Sequence, residues 1–148
     1  MKEKLKILFL CTGNSCRSQM AEGWTKKLNG ENIEVHSAGI ETHGLNPNAV
    51  KVMAESGVDI SNHKSKLVDE FKHIELDAVI TVCDHANETC PYFPPRCKVI
   101  HVGFDDPPKM AAKLAARGES IEQQLDCYRK VRDEIKAFVE KMPDNIIQ

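Results

Sequence analysis

Apolar residues along the chain follow two periods. Short runs at Leu5–Leu10 (LKILFL), Ile33–His36 (IEVH), Ala78–Val82 (AVITV) and Lys98–Val102 (KVIHV) each predict a β-strand. The first and third are nearly all apolar, as suits central strands covered on both faces. Between them apolar residues recur at spacings of three and four. Ser18–Leu28 places Met20, Ala21, Trp24 and Leu28 on one helical face, and Asn29-Gly30 stops it. Asn46-Pro47 predicts an N-cap with proline at the first helical position. Val50, Met53 and Ala54 supply that helix's apolar face and Gly57 its terminator. A capping box, Ser120-x-x-Gln123, opens the last helix. Its apolar face runs through Ile121, Leu125, Tyr128, Val131, Ile135, Phe138 and Val139 until Pro143.

Strands alternating with helices predict one α/β domain over residues 1–148. The expected architecture is a four-stranded parallel sheet with helices on both faces and right-handed crossovers. In such sheets ligands sit beyond the carboxyl ends of the strands. Cys11 follows the first strand, Cys83 the third and Asp105-Asp106-Pro107 the fourth, so all three are expected to open onto one crevice. The stretch Pro108–Glu119 reads as an extra helical turn or a flap.

Composition removes several function classes. The 148 residues, 41% apolar and 28% charged, suit a folded globular chain rather than a disordered one. Twenty basic against 22 acidic residues, a net charge of −2, give no polyanion-binding surface, so nucleic acid is not an expected partner. No apolar stretch approaches the ~20 residues that cross a bilayer, and the N-terminus lacks a signal-peptide pattern. A reducing cytoplasm is therefore the expected setting. There the six cysteines, at 11, 16, 83, 90, 97 and 127, are candidates for catalysis, metal binding or core packing rather than for structural disulfides.

The segment Cys11-Thr12-Gly13-Asn14-Ser15-Cys16-Arg17-Ser18 runs from a strand end into a helix start. A tight loop there turns backbone N–H groups inward, and the helix N-terminus adds partial positive charge. Arg17 adds a bidentate fork suited to a tetrahedral oxyanion. The result is a phosphate-like cradle with a sulfur at its base, and such surroundings favour a thiolate. Ser18 is positioned to donate to it. Cys16 reads as a buried structural thiol and Asn14 as a brace for the loop. The loop is not a Walker A motif, because the Gly-x4-Gly-Lys-Ser/Thr pattern is absent. Cys83 and Cys90 are spaced C-x6-C, neither a C-x-x-C redox pair nor a usual zinc pair, and a zinc site from Cys83, His85, Cys90 and Cys97 would be irregular. Were residues 83–90 helical, their Cα atoms would stand ~10.5 Å apart. A disulfide needs roughly 4.4–6.8 Å. Asn87 and the prolines at 91, 94 and 95 argue against a stable helix there and for a redox-switched loop.

At these residues a resemblance becomes plain. Cys11-x5-Arg17-Ser18 resembles the signature loop of low-molecular-weight protein tyrosine phosphatases. The longer strings CTGNSCRSQMAEGW, SAGIETHGLNPNAV, ISNH and GFDDP are similar, more narrowly, to the thioredoxin-coupled arsenate reductases built on that fold. The resemblance covers nearly the whole chain and implies a flavodoxin-like strand order. It implies that Cys11 attacks arsenate, that Cys83 then attacks Cys11 as arsenite leaves, and that Cys90 attacks Cys83. The Cys83–Cys90 disulfide would pass to thioredoxin. It further implies that Asp106, directly before proline, is the general acid rather than Asp105. No metal or organic cofactor is implied for the chemistry, and a monomer is expected. Positions matching Asn14, Glu22 and Ser37 bind potassium in some of these reductases. The acidic fourth position of that site is Lys66 here, whose cation would repel potassium or supply the charge itself. Cys97, Cys127 and the histidines at 63, 85 and 101 carry no assigned chemistry.

A phosphatase acting on phosphotyrosine or small phosphate esters is the second reading, because arsenate and phosphate share shape and charge. Cys83 and Cys90 favour the reductase, as does the near absence of Tyr beside Asp106, where a phosphatase acid loop commonly carries aromatic residues. A thiol-based arsenic or metal sensor would need a DNA-reading element, and no basic helix supplies one.

Overall fold

The computed structural model describes residues 3–146. Four strands, β1 (Leu5–Cys11), β2 (Ile33–Gly39), β3 (Ala78–Thr81) and β4 (Lys98–His101), form one parallel sheet in the order β2-β1-β3-β4. The helices are α1 (Arg17–Asn29), α2 (Pro47–Glu55), α3 (Asp84–Glu88), α4 (Pro107–Ala116) and α5 (Ile121–Glu140), with a 3-10 turn at Val68–Phe71. The two all-apolar runs are the two central strands. Ile7, Leu8, Phe9 and Leu10 of β1 are wholly buried, as are Val79 and Ile80 of β3, whereas β4 exposes Lys98, Val99 and His101.

Strand ends differ by small amounts from the sequence pattern. Val82 and Val102 lie one residue past β3 and β4, yet each still donates its N–H across the sheet, to Leu10 O at 2.9 Å and Thr81 O at 2.8 Å. Gly57 takes φ +78° at the end of α2, which a side chain would strain. Gly30 ends α1 at φ −61°, without the left-handed cap its sequence suggested. Asn46 caps α2 by accepting from the N–H groups of Asn48 and Ala49, and the Ser120–Gln123 capping box opens α5.

The stretch expected to be an extra helical turn or a flap is helix α4, and the stretch expected to be a redox-switched loop contains a short helix. Pro107 and Pro108 occupy the first turn of α4, where a missing N–H removes no helical bond. The C-x6-C stretch forms the short helix α3, because Cys83 stands at its N-cap and Sγ accepts from Ala86 N at 3.4 Å. The prolines that argued against this helix begin at Pro91, beyond its end.

Packing fixes α1 over the sheet. Met20, Ala21 and Trp24 are buried, Trp24 Nε1 donates to Arg132 O on α5 at 3.1 Å, and Lys136 lies 5.2 Å from the Trp24 ring. Removing a buried side chain of this size costs about 3–5 kcal/mol. The position of α1 fixes the loop that enters it.

Candidate active site

Residues 12–16 connect β1 to α1, and their carbonyls are tied outward. Ile40 donates to Cys11 O at 3.1 Å, Glu41 to Thr12 O at 2.8 Å, His43 to Gly13 O at 2.9 Å and Asn46 to Ser15 O at 3.0 Å. Ser65 Oγ adds a second bond to Gly13 O at 2.8 Å. A trans peptide points its C=O and N–H in opposite directions. The following N–H groups therefore turn away from the 40–46 segment. Those of Thr12, Gly13, Asn14, Ser15 and Cys16 have no acceptor among the described residues, which is the arrangement of an anion cradle.

Asn14 holds the loop's one left-handed non-glycine residue, at φ 48°. Its wholly buried side chain sets a chain of oriented hydrogens. Glu22 Oε1 accepts from Ser37 Oγ at 2.5 Å, so the Ser37 oxygen is left to accept from Asn14 Nδ2 at 3.0 Å. The same amide donates to Ser18 Oγ at 2.9 Å, which leaves the Ser18 hydrogen for Cys11 Sγ, 2.8 Å away. Asn14 Oδ1 accepts from Lys66 N at 2.8 Å and from Gln19 Nε2 at 3.0 Å. The buried carboxylate thus orients a hydroxyl at the sulfur through two intermediates. Burial pushes the Glu22 carboxyl up, but bonds from Lys26 and Ser37, with the charges of Lys66 and His63, outweigh it. They hold the group below the usual carboxylate range.

Arg17 opens α1 with only 13% of its side chain exposed. Nη1 donates to Phe104 O at 3.0 Å and Nη2 stands 3.7 Å from Asp106 Oδ2. Asp106 therefore faces the loop. Asp105 instead pairs with Lys130 at 3.6 Å, with 64% of its side chain exposed. The single crevice expected from the sequence is two adjoining cavities. Cys11 opens on one of about 330 Å³, together with Gly13, Arg17, His43 and Asp106. Cys83 opens on the other, of about 520 Å³, which also touches Arg17 and Asp106. Thr12 joins them, with Oγ1 3.3 Å from Cys83 Sγ.

The other thiols are less engaged. Cys90 is half-buried, and burial pushes its thiol up. Cys16 is buried, and burial, reinforced by Cys11, raises it so far that it stays protonated. Cys97 lines an apolar groove with Phe71, Ile74 and Phe93, away from the loop. Cys127 Sγ lies 3.8 Å from Gln123 O on the preceding turn of α5. Of the residues matching a potassium site, Asn14, Glu22 and Ser37 are bonded to one another. The ammonium groups of Lys26 and Lys66 lie 2.7 and 3.7 Å from the Glu22 oxygens.

Several contributors have no sequence signature of their own. Gln19 spans from the Asn14 side chain to Lys64 O at 2.9 Å, and its Oε1 faces His63 Nδ1 at 3.0 Å. Ser65 and His43 touch Gly13 from two distant segments. Gln19 lies in CTGNSCRSQMAEGW, His43 in SAGIETHGLNPNAV and Ser65 two residues past ISNH, but nothing in their spacing gives each a role.

A model of the low molecular weight phosphotyrosine protein phosphatase family matches residues 6–147. The arsenate reductase of Staphylococcus aureus (strain N315) is 49% identical over 139 residues, spanning 94% of this chain and 96% of its own length. A solved arsenate reductase in its phosphate-binding state superposes with a TM-score of 0.73 at 33% identity, covering 96% of this chain and 98% of that one. The low molecular weight protein tyrosine phosphatase of T. tengcongensis gives 0.71 at 26% identity, covering 97% and 100%. With the sulfur, the arginine and the carboxylate gathered at one loop, the chain belongs to the low molecular weight phosphotyrosine protein phosphatase family, as a relative of its arsenate reductases.

Proposed function

We propose that this chain reduces arsenate to arsenite through three thiols and returns to its starting state by reaction with thioredoxin. The observation that carries the reading is the second thiol at the loop. Cys83 Sγ lies 3.3 Å from the hydroxyl of Thr12, the residue after Cys11, and opens beside Arg17 and Asp106.

The Cys11 thiolate, favoured by the Ser18 hydroxyl and the helix N-terminus, attacks arsenic. Loop N–H groups and Arg17 hold the oxygens, and Asp106 gives its proton to the departing oxygen, which leaves as water. Cys83 then attacks Cys11 Sγ. The S–As bond breaks and its electron pair stays on arsenic, so As(V) becomes As(III), arsenite departs and a Cys11–Cys83 disulfide remains. Cys90 attacks Cys83 Sγ and frees the Cys11 thiolate. A thioredoxin dithiol reduces the Cys83–Cys90 bond and is itself oxidised. The exposed position and short length of α3 support this last exchange. Drawing Cys90 onto Cys83 undoes the bonds from Asn87 N to Cys83 O and from Thr89 N to His85 O, which span only one turn.

Electrons pass through sulfur alone in this scheme, and no cofactor takes part. In place of a potassium ion, the Lys66 and Lys26 ammonium groups balance the Glu22 carboxylate. A reducing cytoplasm is the setting that suits this thiol chemistry.

A phosphatase activity is the second reading, favoured by the same Cys11–Arg17–Asp106 grouping, but it leaves Cys83 and Cys90 without work. The deciding assay is arsenate-dependent NADPH oxidation with thioredoxin and thioredoxin reductase, run beside hydrolysis of p-nitrophenyl phosphate. Turnover in the first that far exceeds the second is expected. Phosphate ester hydrolysis with no arsenate-dependent oxidation would reverse the assignment.

A further inference from the structure

The outer wall of the cradle carries a side chain the relay does not use. His43 donates its backbone N–H to Gly13 O at 2.9 Å, and its ring packs on the Gly13 Cα. A Cβ at position 13 would stand 2.3 Å from Nδ1 and 2.5 Å from Cγ, so glycine alone leaves room for the ring. The ring lines the cavity onto which Cys11, Arg17 and Asp106 open, with half of its side chain exposed. Its other edge is fixed, because Nε2 lies 2.7 Å from Glu41 Oε2. A carboxylate only accepts, so Nε2 carries a hydrogen and donates. The neutral ring then presents a bare, accepting Nδ1 beside the cradle, and the imidazolium presents a donor there. A tetrahedral oxyanion is repelled by the first form and bound by the second.

We propose that His43 is an anion-binding residue of this pocket. Its protonated form donates Nδ1–H to one oxygen of a tetrahedral dianion that the loop N–H groups and Arg17 hold, while Glu41 fixes the opposite edge of the ring. The proposal rests on the oxyanion role given above to the Cys11 loop. It makes anion affinity fall as pH rises through the imidazole range. The charged and titratable groups facing the ring are Glu41 on its own segment, Cys11 and Cys16 on the loop, Arg17 on α1 and Asp106 ahead of α4. Imidazole and thiols change charge between about pH 5.5 and 8.5, and so does a carboxyl that serves as proton donor, so the test protein carries Asp106→Asn beside the Cys11 substitution. Burial keeps Cys16 protonated, and substituting Cys11 removes the other thiol.

The probe is sulfate, which stays a dianion across that range, bound to the Cys11→Ser, Asp106→Asn protein and followed by titration calorimetry. Affinity is expected to be about tenfold weaker at the high-pH end, the scale of one hydrogen bond to a charged group. Adding His43→Gln, which keeps a polar side chain but cannot titrate, should give the weaker affinity at both ends. Adding Glu41→Gln instead should shrink the pH ratio without abolishing it. An unchanged pH ratio in the His43→Gln protein would overturn the proposal. Absence of sulfate binding to the Cys11→Ser, Asp106→Asn protein at either pH would overturn the oxyanion pocket itself and this proposal with it, so the two failures are told apart.

Discussion

The Cys11 loop and the Cys83–Cys90 segment both leave the carboxyl end of a central strand, yet their surroundings differ throughout. Around Cys11, the polar side chains of Asn14, Ser18, Gln19 and Ser37 are wholly buried, and distant segments at 40–46 and 63–66 bond to the loop. Around Cys90, Asp84, His85, Asn87, Glu88 and Thr89 are exposed, and the helix α3 that precedes it has only five residues. One thiol sits in a frame whose hydrogens are already oriented, so little reorganisation remains for the attack on an oxyanion. The other lies two residues past a short helix that loses few bonds on unwinding. A reaction that needs a fixed nucleophile and a travelling thiol is served by this division.

The largest expected effect strikes the fixed side. Cys11→Ser should abolish arsenate reduction and any phosphatase activity together, since a neutral hydroxyl does not replace a thiolate. Arg17→Lys should also be severe, because a point charge loses the bidentate fork. Substantial reduction by Cys11→Ser protein in the thioredoxin-coupled assay would refute the assignment. Next comes the acid. Asp106→Asn should slow the first chemical step by roughly 10²–10⁴ in single-turnover measurements. Asp105→Asn, whose carboxylate faces Lys130, should change it little.

The comparison sharpens further in stability. Asn14→Ala strands the buried amides that it now satisfies and should cost about 2–4 kcal/mol by denaturant unfolding. Asn87→Ala, at an exposed position of α3, should cost less than about 1 kcal/mol. Equal losses would mean the two segments are not differently braced. The smallest effect concerns acid. Because the folded Glu22 carboxyl lies below its usual range, its contribution is present above about pH 4.3, the unfolded value. It is lost as pH falls through the lower folded value. Glu22→Gln should therefore lower the melting temperature at neutral pH and show a shallower further decline into acid.

Local pattern revealed more of this molecule than of its bracing. The all-apolar runs of β1 and β3 identified the central strands because burial on both faces leaves no polar alternation. Cys11, Arg17 and Ser18 were legible because a strand end, a loop and a helix start are contiguous in the chain. The helix α4 was legible only in part, since Pro108–Glu119 reads as an extra helical turn or a flap, and the structure makes it a ten-residue helix with both prolines in its first turn. The short helix α3 was not expected because Asn87 and the prolines at 91, 94 and 95 argued against it, yet Asn87 is accommodated within it, the prolines lie beyond its end and a thiol caps it. The supports at Ser65 and His43 reach Gly13 across long stretches of chain, and local spacing carries no sign of such contacts.

The central claim, a fixed nucleophile resolved by a travelling thiol, is tested most directly by peptide mapping with mass spectrometry after one arsenate turnover. Cys90→Ser protein should stop as a Cys11–Cys83 disulfide after releasing a single equivalent of arsenite, and Cys83→Ser should release none by this route. Wild-type protein oxidised without thioredoxin should carry Cys83–Cys90, with Cys97 and Cys127 free. A Cys90→Ser protein that keeps turning over with thioredoxin, or a wild-type bridge through Cys97 or Cys127, would contradict it.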